Sequence, residues 1–396
     1  MPDLERRLGD VVELTRALIR APSPSPPGDE RAVVEVVRDY LADVPGVELR
    51  ILAADPLRPN LVCSAGGGPT LGLFAHTDTV PVGDDGWSVD PFGGALRDGR
   101  VYGRGATDNK GAVAAMAVAF RTLVESDPRP EGRLLFCANA DEEQGGRYGI
   151  AHVAEALAHE LDAAVVAEPS GIDDSFERLW VASRGVCAFR ILVEGTQGHS
   201  SLADHHDALN AVGRLFELWP HLRERFQELI PDGVVLNPVR LLGGVDYGIV
   251  PGQSAVWCEC RVAPGNERGQ VQARLERAAD EAIRASGIQA KLVFEPAPYG
   301  WIAPSSVAVD QPIVRAARSA WASTLGAEPR LGTFPGGTDG WVLAQHGVPT
   351  LPGIGPGALM RAHGADEHVT VADLETATRL YVALATAYFA DHGERP

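Results

Sequence analysis

Apolar residues recur with a helical period at Leu4, Leu8, Val11, Val12, Leu14 and Leu18, and the pattern predicts a first helix that stops before Pro22 in APSPSPPGDE. A second helix is expected over Glu30 to Leu41. Short apolar runs bounded by Gly, Pro and Asp follow: NLVCSA from residue 60, LGLFA from 71, RLLFCANA from 133 and DAAVVA from 162. Each has strand length and is apolar throughout, which suits strands covered on both faces. Between them, NKGAVAAMAVAFRTLVES (109–126) and GIAHVAEALAHEL (149–161) are Ala-rich and long enough for helices. Strands alternating with helices define an α/β layer.

From Arg184 the pattern changes. VCAFRILVEG and SAVWCECRVAPG alternate as half-buried strands, with Cys258 and Cys260 on one face. DALNAVGRLFELWPHLRERF and RGQVQARLERAADEAIRAS have amphipathic helical spacing, and KLVFEPAP reads as another strand. The last segment returns to α/β texture, with a helix at 311–325, the turn-rich GTFPGGTDGW, the apolar VPTLPGIGPG and a closing helix in VADLETATRLYVALATAYF. The expected organisation is an α/β domain of residues 1–184 and 299–396 into which an α+β domain, 185–298, is inserted.

Composition narrows the class. With 396 residues the chain exceeds what one hydrophobic core usually serves, and 45% hydrophobic with 22% charged residues is ordinary for a globular protein. A formal charge of −18 argues against nonspecific binding to nucleic acid or an anionic membrane, both of which need a basic surface. No run reaches the roughly 18 apolar residues of a membrane span. Five cysteines, with no CxxC pair, indicate neither a disulfide framework nor a thiolate metal site. The N-terminal stretch MPDLERRLGDVVELTRALIRAPS has acidic residues and helical spacing instead of a basic region followed by an apolar core, so a cytoplasmic protein is expected.

Candidate chemistry falls at the strand ends. LGLFA runs into His76 and Asp78, RLLFCANA into Asp141, Glu142 and Glu143, and DAAVVA into Glu168. In an open α/β sheet, ligands bind outside the carboxyl ends of the strands, so residues far apart in sequence converge there. Any one of these taken alone reads as a loop residue or helix cap; three sets together point to a site. Asp108 in GRGATDNKG is either a further member or the N-cap of the Ala-rich helix. MRAHGADEH (360–368) offers His363 and His368. Imidazole and carboxylate groups without thiolate suit zinc or similar borderline ions. Two ions sharing a carboxylate would lower the pKa of a water held between them, and of adjacent Glu142 and Glu143 one can bind metal while the other stays free as a base.

HTDTV, GRGATDNKG, DEEQGG, AEPS and AHGADEH, in this order, resemble the di-zinc aminoacylase and peptidase family that includes acetylornithine deacetylase, succinyl-diaminopimelate desuccinylase and carboxypeptidase G. The resemblance spans nearly the whole chain. It implies a mixed-sheet zinc-peptidase catalytic domain with an inserted α+β lid and dimerisation domain, and hence a homodimer. It further implies that His76 and Glu168 hold one Zn2+, Glu143 and His363 the other, and that Asp108 bridges them, with Co2+ or Mn2+ as possible substitutes. Asp78 would orient the His76 imidazole, the Asp108–Asn109 bond would be cis, and Glu142 would serve as general base and then acid. His199 in GTQGHSS would stabilise the oxyanion, Arg261 would meet a substrate carboxylate, and Gly336, Gly337 and Thr338 would line the substrate. The chain departs from the family at Gly248, where asparagine is common. The implied substrate is a small N-acyl amino acid or a short peptide; a metallo-dipeptidase or carboxypeptidase is the alternative, and a noncatalytic metal-containing binding protein a distant one.

Overall fold

The structure, a computed structural model, describes residues 2–83, 86–204 and 209–393. Its compact units are two: residues 1–183 with 305–334 and 338–396, and residues 184–304 with 335–337.

In the first unit, the opening helix Pro2–Ile19 buries Leu4, Leu8, Val11 and Leu18, the stripe its spacing requires. Arg31–Leu41 forms the second helix. The helix Gly111–Glu125 is buried on nearly every side, consistent with its Ala and Val content and with the absence of a polar face. Residues 149–161 form a shorter α-helix than their composition suggests, Ile150–Leu157, followed by a turn of 3-10 helix. These elements pack around a six-stranded sheet that runs Glu48–Leu52, Asn60–Gly66, Arg133–Asn139, Thr70–His76, Ala163–Val166, Thr350–Leu351 in spatial order. The three strands Arg133–Asn139, Thr70–His76 and Ala163–Val166 are mutually parallel, and the register sets His76 beside Asn139. Their carboxyl ends therefore open at one edge, where Asp78, Glu142, Glu143 and Glu168 follow within a few residues.

The second unit is a four-stranded antiparallel sheet in the order Val234–Gly243, Gln253–Val262, Gly185–Glu194, Ala290–Phe294. Alternate residues of its two central strands point into a core with the helices Ala211–Gln227 and Arg268–Ser286, where Phe189 meets Phe226 at 5.5 Å between ring centroids. This unit ends at Pro304 instead of 298, because Val186 and Ile302 exchange backbone hydrogen bonds of 2.9 and 2.8 Å. The strand Val234–Gly243 has no counterpart in the sequence reading. Pro238 cannot donate to a ladder, and it is accommodated because the strand lies at the sheet edge with a bulge between Pro238 and Arg240. All five cysteines are buried free thiols, and burial pushes the Cys63 thiol up to about 12, which leaves it unreactive.

Candidate metal centre

At the sheet edge His76 is buried between two acidic partners. Its Nε2 lies 3.0 Å from Asp108 Oδ1, and its Nδ1 lies 3.1 Å from the Asp78 carbonyl oxygen and 3.4 Å from Asp78 Oδ1. A proton held on Nδ1 by Asp78 would leave the Nε2 lone pair for a cation. Asp78 also acts beyond this imidazole, since its carboxylate accepts from the backbone N–H groups of Glu142 and Glu143 at 3.0 and 3.1 Å. One side chain thus fixes both an imidazole and the turn bearing two carboxylates. That turn is entered through Asp141 at φ +69, a left-handed conformation uncommon outside glycine, and Asp141 is held by Arg58 Nη2 and the Tyr148 N–H, each at 2.9 Å.

Asp108 is not a helix cap. The helix that follows begins at Gly111 after Lys110, and the Asp108 carboxylate is turned toward the histidines. The Asp108–Asn109 peptide bond is cis. Gly105, at φ +86, lets the chain pass close to Thr79, whose Cγ2 would stand 2.7 Å from any β-carbon there. The second oxygen, Asp108 Oδ2, lies 3.3 Å from His363 Nε2, and that nitrogen lies 3.4 Å from Glu143 Oε1. His363 reaches in from a loop at φ +65. His368, the other histidine of that loop, lies against the Tyr102 ring at 4.9 Å between centroids and bonds the Asp366 carbonyl, so its surroundings are structural.

Two sets of donor atoms result, His76 with Asp108 and Glu168, and Asp108 with Glu143 and His363, each with its ligand atoms within 4.8 Å of one another. Proton affinities at the site are shifted in both directions. Burial pushes Glu168 well above the usual carboxylate range, and neighbouring Asp108 and Glu142 add to it. Glu142 is half-buried by surface area, yet desolvation still raises it strongly. Asp108 is held low: burial opposes, but contacts with His363 and His76 prevail. His363 rises to about 10 through its contacts with Asp108 and Glu143. Divalent cations reverse this balance, because they favour ionised carboxylates and neutral imidazoles. Nitrogen and oxygen donors, without thiolate, fit zinc and similar ions.

Behind the ligand atoms lies a pair that the sequence reading missed. Buried Asn139 donates from Nδ2 to Asp339 Oδ2 at 2.6 Å, and burial lifts Asp339 to about 7. Asn139 ends the central strand RLLFCAN and Asp339 follows Thr338 in GGTDG, so both stood within segments already singled out by pattern. Thr338 is buried, with Oγ1 accepting from the Gly340 N–H at 3.3 Å. Gly336 is half-buried, and a β-carbon on Gly337 would meet Ile302 Cγ2 at 3.3 Å. Within the second unit, His199 is exposed and its Nδ1 accepts from the Ser201 N–H at 3.2 Å. Arg261 Nε pairs with Glu259 at 2.7 Å on its own strand. Gly248 sits at φ +80, its carbonyl accepting from the Ser200 N–H at 3.0 Å.

Strand ends that aim imidazole and carboxylate groups into one acidic, partly enclosed edge define a metal-dependent hydrolase of amide bonds. The chain belongs to peptidase family M20/M25/M40, whose family model matches residues 72–387. It is 32% identical over 392 residues to a succinyl-diaminopimelate desuccinylase of Phenylobacterium zucineum, covering 96% of this chain and 99% of the relative. It is 30% identical over 385 residues to the enzyme of the same name from Xanthomonas campestris pv. campestris (strain 8004), covering 95% and 98%. Among solved structures, the fold is similar to that of the di-peptidase Dug1p from Saccharomyces cerevisiae, with a TM-score of 0.78 at 14% identity over 98% of each chain.

Proposed function

We propose that the protein is a two-cation hydrolase that cleaves the amide bond of a small N-acyl amino acid, with a succinylated or similarly acylated amine as substrate. The observation that carries this reading is Asp108, whose two carboxylate oxygens face histidines from two different segments at 3.0 and 3.3 Å. His76 and Glu168 would hold one ion and Glu143 and His363 the other, with Asp108 offering an oxygen to each; zinc is the proposed metal, with cobalt or manganese able to take its place. Cations bound there would supply Lewis-acid polarisation of the amide carbonyl and a lowered pKa for the attacking water.

Glu142 takes the proton from that water as its oxygen forms a bond to the carbonyl carbon, then returns it to the amine as the C–N bond breaks. Asp78 holds Glu142 by its backbone N–H and so fixes the base relative to His76. His199 would reach across a dimer to donate to the developing oxyanion of the partner's site: because Nδ1 accepts from the Ser201 N–H, the neutral ring carries its hydrogen on Nε2. Arg261 meets the substrate carboxylate, while Gly336, Gly337 and Thr338 line the substrate.

The desuccinylase relatives, alike over nearly their full length, favour acyl-amine cleavage over dipeptide cleavage. The second unit serves as lid and dimerisation domain. Its edge strand exposes Val239, Leu241 and Leu242, and the adjoining helix exposes Phe216 at 63%, apolar surface that a second copy would cover. Buried thiols without disulfides suit a cytoplasmic location. No helix among the described residues is long and apolar enough to cross a membrane.

The test is metal analysis together with turnover of a panel of N-succinyl, N-acetyl, N-glutamyl and dipeptide substrates, beside Glu142→Ala. Two ions per chain, preference for an N-acyl amino acid and near-complete loss of turnover in the variant are expected. Full activity after Glu142→Ala would end the proposed mechanism, and preference for dipeptides would transfer the protein to the peptidase reading.

A further inference from the structure

Arg104 and Glu367 form an ion pair at 2.6 Å with side chains 2% and 0% exposed. Such a pair is a weak source of stability, because desolvating two charges offsets most of their attraction, so its other contacts explain it better. Glu367 Oε1 accepts from the backbone N–H groups of Thr107 at 3.0 Å and Asp108 at 3.1 Å. Arg104 Nη2 donates to the His363 carbonyl at 3.1 Å, and Nη1 to the Gly364 carbonyl at 3.3 Å. The guanidinium is capped by the Trp87 ring, 5.3 Å from its centroid. Thr107 Oγ1 adds a bond of 2.7 Å to the His368 carbonyl, tying the same two segments. One acid therefore grips the backbone of Asp108 while its arginine grips the backbone of His363, a half-exposed residue in a left-handed conformation.

The two donor sets depend on this clamp unequally. His76 is placed by its own strand register and by Asp78, and Glu168 follows a buried parallel strand. His363 has no such ladder, and its backbone orientation rests on Arg104.

We propose that Arg104 and Glu367 are positioning residues that preset the loop-borne cation site of Asp108, Glu143 and His363, so that loosening the pair weakens that ion more than the strand-borne ion, which shares only Asp108 with it. The proposal rests on the two-cation reading above. Arg104→Lys keeps the charge but not the fork, since one ammonium cannot meet Glu367 and both carbonyls in the same geometry. Glu367→Gln can keep its oxygen as acceptor for the two N–H groups only by turning its amide NH2, a donor, toward Arg104.

The full chain is stripped with chelator and titrated with Zn2+ by calorimetry against a competing chelator, for wild type, Arg104→Lys, Glu367→Gln and His363→Ala, with folding followed by circular dichroism. In both clamp variants one ion is expected to weaken by about 10- to 100-fold, the range for residues that orient metal ligands, and the other by distinctly less. Unchanged binding of both ions, or equal weakening of both, overturns the proposal. If Arg104→Lys does not fold, Glu367→Gln decides; failure of both to fold makes the pair a structural element and also overturns it. Wild type binding fewer than two ions, or His363→Ala binding both unchanged, counts instead against the two-cation reading, and neither result involves the clamp variants.

Discussion

The two donor sets share Asp108 but are built differently. His76 and Glu168, 2% and 4% exposed, sit at the ends of buried parallel strands whose ladder fixes their positions before any ligand arrives. His363 sits on a loop, its side chain 52% exposed and its backbone left-handed, and Glu143 sits in a short turn held from behind by Asp78. Sheet register supplies geometry at no extra cost in ordering, whereas a loop must be tied down residue by residue. One donor set is thus a product of the fold and the other a product of specific side-chain contacts.

The largest effect should come from the proposed acid–base group, which stands in neither donor set. Glu142→Gln is expected to lower turnover by roughly 10²- to 10⁴-fold, the usual worth of a positioned acid–base group, while both cations stay bound. Stopped assays paired with metal analysis check it, and loss of metal in step with activity would recast Glu142 as a ligand. Asp78→Asn comes next. It weakens the bond to His76 and the hold on the Glu142–Glu143 turn together, so cation affinity should fall by about 10- to 100-fold in both donor sets. Chelator competition distinguishes this from an effect on one set.

A sharper contrast comes from the histidines. His363→Ala should leave a chain with one ion after exhaustive dialysis, and His76→Ala should lose the strand-borne ion instead, with inductively coupled plasma analysis giving the stoichiometry. Identical behaviour of the two variants would erase the distinction between strand and loop. The smallest effect is expected at Gly248. Its left-handed backbone tolerates asparagine better than most residues, and a β-carbon there meets nothing within 4 Å. Gly248→Asn should therefore change stability by less than about 1 kcal/mol and leave metal content alone, while shifting KM among N-acyl substrates; thermal melts and a substrate panel follow both.

Legibility in the sequence tracks the same division. The strand-borne residues could be read because each ends an unbroken apolar run, and an α/β sheet gathers such ends at one edge. Asp108 could not be separated from a helix cap by position, since what decides it is the direction of its carboxylate relative to His76 and His363. Spacing alone does not separate His363 from His368 either; the family resemblance selects His363, and the Tyr102 ring against His368 accounts for the other histidine. The same limit hid the partnership of Asn139 with Asp339, the double use of Asp78, and the clamp of Arg104 and Glu367. All depend on contacts between segments distant in sequence. In the second unit the alternating strands were plain, but Val234–Gly243 was not, because Pro238 breaks the pattern and only an edge position with a bulge makes it compatible with a sheet.

The most direct measurement is a crystal structure of the zinc-loaded protein with anomalous diffraction recorded on either side of the zinc absorption edge. Two anomalous peaks are expected per chain, one on each side of the Asp108 carboxylate, the first contacting His76 and Glu168 and the second Glu143 and His363. A single peak, or two peaks that do not share Asp108, would contradict the bridged two-cation centre on which the proposed chemistry rests.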